Sequence, residues 1–107
     1  TGGYNTIVGT VAGASITTGN HLVAVGYGAS NNTTTNDATS VGYRAAVAHT
    51  TGLGLVAVGM EALAAVTTAS YNTAVGFKAG HSNTSGIENT SMGWSAGKQL
   101  TTMLFLG

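Results

Sequence analysis

The 107-residue chain contains no cysteine and no proline, and only six of its residues are Asp, Glu, Lys or Arg. Without cysteine there are no disulfides and no thiolate metal sites, and the redox compartment leaves no trace in the sequence. A formal net charge of 0 removes the basic footprint that nucleic-acid binding requires. No apolar run reaches the roughly 18 residues of a membrane span, and no signal-peptide pattern is present, so no membrane insertion is expected. Charge this scarce disfavours a well-dispersed monomer and predicts burial in an oligomer or filament. The chain starts at Thr1 rather than Met, as expected of a segment of something longer.

What the chain has in quantity is glycine, 17 residues of it, within an apolar share of 43% that is mostly Ala and Val. That share is too large for a charged, disordered chain. The glycines mark an internal repeat, the feature to seek first. Gly9, Gly26, Gly42, Gly59, Gly76 and Gly93 recur at spacings of 17, 16, 17, 17 and 17, and a shortened copy ends on Gly107. Numbering each copy from its anchor glycine, position −1 is Val8, Val25, Val41, Val58, Val75, Met92 and Leu106. Position +3 is Ala12, Ala29, Ala45, Ala62, Ala79 and Ala96. Position +8 is Thr17, Thr34, Thr50, Thr67, Thr84 and Thr101, followed at +9 by Thr18, Thr35, Thr51, Thr68, Ser85 and Thr102. Residues 1–107 therefore read as a single repeat array.

β-Branched residues and glycine dominate each copy, and no 3.6-residue apolar stripe survives, so helix is disfavoured. Thr-Thr-Gly-type turns, as at Thr17-Thr18-Gly19 and Thr50-Thr51-Gly52, close each copy. A coil of about 17 residues buries too little alone. Stacked coils pair their backbones and share a core, which predicts an all-β solenoid or β-roll. Strand periodicity of two predicts a strand of about seven residues, followed by a small-residue corner and a short second strand. Positions −3, −1, +1 and +3 then share one face. On that reading the large +1 column (Tyr27, Tyr43, Met60, Phe77, Trp94) fills the core beside the valines. An exposed stripe for sugar rings or a membrane interface is the alternative. The small −2 column and the anchor glycines lie on the opposite face, able to pack toward a threefold axis. Arg44, Glu61 and Lys78 share position +2 on successive coils and predict a plus–minus–plus ladder at about 5 Å intervals.

The copies Tyr71-Asn72-Thr73-Ala74-Val75-Gly76-Phe77-Lys78-Ala79-Gly80 and Glu88-Asn89-Thr90-Ser91-Met92-Gly93-Trp94-Ser95-Ala96-Gly97 resemble the Asn-Thr-Ala-x-Gly-aromatic-x-Ala repeats of phage tail-fibre proteins. The frame is also similar to the head repeats of trimeric autotransporter adhesins. Copies two to four depart from it, starting Leu22-Val23, Ala38-Thr39 and Leu55-Val56. The resemblance implies a homotrimeric fibre on a virion or cell surface, with a host-surface glycan or protein receptor as partner. The expected role is a structural shaft contributing to host attachment. A bacterial adhesin or a self-assembling extracellular filament is the alternative.

For catalysis the sequence offers no residues, and no cofactor or metal is expected. Asp37 and Glu88 share position −5 three coils apart, about 14 Å, beyond the roughly 5–10 Å of paired-carboxylate hydrolysis. His21, His49 and His81 fall in three different columns, read as single loop histidines, and form no metal-ligand spacing. No Gly-x-Ser-x-Gly elbow occurs. Gly26-Tyr27-Gly28 and Gly52-Leu53-Gly54 open no helix and lack the lysine of a phosphate loop. The sequons at Asn31, Asn32, Asn83 and Asn89 follow from an Asn/Thr-rich repeat. The threonine columns read as turn hydroxyls bonded along the stack. Neighbouring threonines are expected to point to opposite sides, which argues against a flat ice-binding array.

Overall fold

A computed structural model of the chain describes residues 3–34 and 36–97. Within them lie six three-residue strands: β1 (Thr6–Val8), β2 (Val23–Val25), β3 (Thr39–Val41), β4 (Val56–Val58), β5 (Thr73–Val75) and β6 (Thr90–Met92). They form one parallel sheet in sequence order, and each strand pairs with the same columns of the next, as Thr6 with Val23 and Val56 with Thr73. This is a β-solenoid of about five turns, as the repeat predicts, within a body of 36 × 20 × 17 Å. The shortened copy ending on Gly107 lies outside the described residues, as do Thr35, Leu106 and the last members of the threonine columns.

The strands are shorter than the seven residues that periodicity predicts, and the reason is the backbone past the anchor. Four positions in every coil carry positive φ: the anchor, +2, +4 and −5. The anchors have φ between 118° and 135°, a region open essentially to glycine alone. The other three positions are left-handed, although they hold such residues as Val11, Arg44, Glu61 and Leu63. Each left-handed residue redirects the next peptide along the stack. At +2 the amide donates to the preceding coil, as Glu61 N to the Tyr43 carbonyl (2.8 Å). At +4 it donates to the following one, as Leu63 N to the Ala79 carbonyl (2.9 Å). Every coil thus ladders to both neighbours through its turns, and this satisfies buried backbone groups where no strand exists.

These turns also correct the predicted facing. The −2 column points into the coil: Ala24, Ala57 and Ala74 are fully buried. The +3 alanines join it there, with Ala29, Ala45, Ala62 and Ala79 at 0% exposure. Leu22, Leu55, Leu63 and Val66 supply the larger core side chains. The small residues therefore line the solenoid interior rather than an outer face free to meet a threefold axis. The +1 residues, expected as core filler, stand outside: Tyr27 is 52% exposed and Trp94 78%. Positions −3, −1 and +1 do share a face, but it is the outside, and the left-handed turn past the anchor ends the alternation so that +3 swings in.

The departure of copies two to four from the Asn-Thr start has a physical account. Asn72 at −4 donates from Nδ2 to the Gly86 carbonyl (2.7 Å) and accepts at Oδ1 from the Asn89 amide (3.0 Å). Asn5 makes the equivalent bonds to Gly19 and Leu22. Leu22 and Leu55 fill the same buried column with apolar volume instead. Replacing Asn72 with alanine leaves the buried Gly86 carbonyl only the longer bond from Asn83 Nδ2 (3.3 Å) and removes the acceptor of the Asn89 amide, and is expected to cost about 1–2 kcal/mol. A urea unfolding titration reads that loss directly.

Candidate functional site

The described surface divides into an apolar face and a polar flank. On the outer face of the sheet the −3 and −1 columns carry half-buried Val23, Val25, Val41, Val56, Val58 and Val75. The +1 column continues that face around the corner. Its rings stack along the axis, Tyr27 on Tyr43 at 5.5 Å and Phe77 on Trp94 at 6.3 Å, both nearly parallel. Met60 separates the two pairs. One coil spacing of about 4.8 Å matches offset stacking of like rings.

The charge ladder forms only in half. Lys78 Nζ lies 3.9 Å from Glu61 Oε1, and His81 Nε2 lies 3.4 Å from the same oxygen. Lys78 also sits over the Phe77 ring at 5.4 Å. Pairs near the surface, half-buried as these are, contribute about 0–1 kcal/mol. Arg44 makes no ion pair with Glu61, and its guanidinium has no partner among the described residues. Its flank holds an open notch of about 240 Å³, with Tyr27 and Tyr43 as one wall.

The three histidines stand in three environments. His21 is exposed, stacked on Tyr4 at 5.6 Å with Nδ1 3.2 Å from Asp37 Oδ1. His81 sits at the polar flank just described. His49, read from sequence as a loop residue, is instead wholly buried in the +7 column between the levels of Thr33 and Val66. Its Nδ1 lies 3.5 Å from the Thr33 hydroxyl, while Nε2 abuts Gly52 without a hydrogen bond. Burial lowers its pKa below 6.5, with the Gly52 backbone working in the opposite direction. The +7 column is interior in every coil from Thr33 to Asn83. A column shared by Ile16, Thr33, His49, Val66 and Asn83 carries no such signal in the sequence.

Asp37 and Glu88 remain three coils apart at position −5, both exposed. No group of three metal-ligating side chains gathers among the described residues, and no helix among them is long and apolar enough to cross a membrane. Asn83 and Asn89 are buried by the fold, whereas Asn32 is exposed. Along the turns, Thr34 and Thr50 donate from Oγ1 to the Thr50 and Thr67 carbonyls at 3.1 Å, the stacked bonding expected of this column. The facing expected of adjacent threonines does not hold: Thr17 and Thr18, and Thr67 and Thr68, are exposed together. They occupy a corner, where alternation has no meaning. Compared with protein-family models, curated proteins and solved structures, the chain matches none.

Proposed function

We propose that the chain is a shaft segment of a phage tail fibre, a structural element that contributes to host-surface attachment as a homotrimer. The observation that carries this reading is the outward face of the sheet, where position −1 is valine from Val8 to Val75 with Met92 after it, position −3 is valine or threonine, and neither column holds a charge. A contiguous apolar face of this kind is costly in water and is characteristic of a contact surface. Three such faces turned toward one another would bury the strand columns and leave the +1 rings and the polar flanks outside. The role is mechanical: repetition makes length, and axial hydrogen bonds in every coil resist bending. A bacterial trimeric adhesin or self-assembling filament uses the same face and differs in how the copies close.

Native mass separates these readings. Light scattering on the chain is expected to give a discrete trimer, and changing Val41 and Val58 together to lysine is expected to release monomers that keep their β circular dichroism. Open-ended polymers would favour the filament, and a stable monomer at micromolar concentration would overturn both.

A further inference from the structure

Position +2 carries a side chain on every coil but one. Val11, Arg44, Glu61, Lys78 and Ser95 fill it elsewhere, while Gly28 leaves it empty. The gap opens the notch of about 240 Å³, with Val11 at one end and Arg44 at the other. Tyr27 and Tyr43 form one wall, their rings 5.5 Å apart and within 13° of parallel. Asn31 and Val47 form the other. Among the described residues neither the Asn31 side-chain amide nor the Arg44 guanidinium has a hydrogen-bond or ion-pair partner. No carboxylate lines the notch.

We propose that this notch is a binding subsite for a single pyranose ring bearing an anionic substituent. The tyrosine pair gives the notch an aromatic lining against which the C–H groups of a sugar can pack, and a guanidinium matches a carboxylate or phosphate in bidentate fashion. The Asn31 amide offers a donor and an acceptor to ring hydroxyls. The volume falls below the roughly 300–1,000 Å³ of sites for drug-sized ligands, so it takes one ring rather than an oligosaccharide. The ligand class rests on the shaft reading, which sets this flank beside a host surface. The notch does not depend on it, so a failed titration leaves the native-mass result standing, and the reverse also holds.

The test titrates the full chain with glucuronic acid, glucose 6-phosphate, glucose and acetate, following tyrosine ring resonances by NMR. Saturable shifts of the Tyr27 and Tyr43 signals are expected for at least one anionic sugar, with Kd on the order of 1 mM for so small a ligand. Glucose is expected to bind at least tenfold more weakly, and the two anionic sugars distinguish a carboxylate from a phosphate. Arg44→Gln should lower affinity for the anionic sugar about tenfold. Gly28→Glu fills the notch and gives Arg44 a partner. Its backbone already has the left-handed φ that Glu61 adopts in the same column, so binding should vanish while the β circular dichroism of the folded chain is kept. No saturation by either anionic sugar, equal binding of acetate, or undiminished binding in both variants would overturn the assignment.

Discussion

Replacing Gly42 with alanine is expected to cost about 3 kcal/mol or more of unfolding free energy, enough to leave much of the chain unfolded. Two effects add. Its φ of 130° lies where L-residues are strained by about 1–3 kcal/mol. A Cβ there would also stand 2.7 Å from both the carbonyl carbon and oxygen of Gly59, a backbone contact that no rotamer change relieves. Relief requires parting two coils, and the coils are held by Gly42 N donating to Val25 O and Gly59 N donating to Val41 O, each at 2.7 Å. Gly28→Ala is the matched control. It also has positive φ, but its Cβ meets only the Arg44 Cγ, at 3.4 Å, in a column that accepts side chains on every other coil. Its cost should stay within about 1 kcal/mol, the ordinary penalty of a left-handed non-glycine residue. Urea midpoints of the two variants decide the matter. Equal losses would mean that backbone strain, rather than coil-to-coil contact, dictates the anchor glycines.

His49 should make the solenoid acid-sensitive. At pH 8 the imidazole is neutral in both folded and unfolded chains and contributes no pH dependence. As the pH falls through 6.5 the unfolded chain takes up a proton that the buried ring refuses, because its folded pKa is lowered by burial. Stability is therefore present above the unfolded pKa and falls by up to about 1.4 kcal/mol per pH unit below it. The decline flattens once the folded pKa is passed. Its column neighbours Thr33 and Val66 carry no charge to compensate. His49→Val places in the column the side chain that Val66 already buries in the next coil, and removes the unpartnered Nε2. Between pH 7 and pH 5 the parent is expected to lose more stability than the variant, with a ceiling of about 2 kcal/mol. Parallel pH curves for the two proteins would show that the buried ring is protonated without penalty.

The stacking period, the parallel order and the anchor columns were legible because repetition makes them so. Column identity survives across coils even where Asn72 is replaced by Leu55 or Leu22, since both fill one interior position by different means. The turns were partly legible as well. Glycine recurs at +4 in Gly13, Gly80 and Gly97, at +2 in Gly28 and at −5 in Gly54, and these columns are the left-handed ones. The signal was diluted by Arg44, Glu61, Leu63 and Tyr71, residues with no special leaning toward positive φ.

The notch follows the same division. An empty +2 position can be read from Gly28 alone, but its walls cannot, because Tyr27 was expected inside. Sequence by itself determined what stacks on what: a fixed period forces like residues into columns, whichever way those columns face. The facing was decided only in the tertiary structure. Left-handed peptides at +2 and +4 interrupt the extended backbone on which alternation depends. Val75 and Phe77 share the outward face and Ala74 the inward one, as alternation allows, but past the anchor Ala79 turns inward and His49 is shut inside the coil.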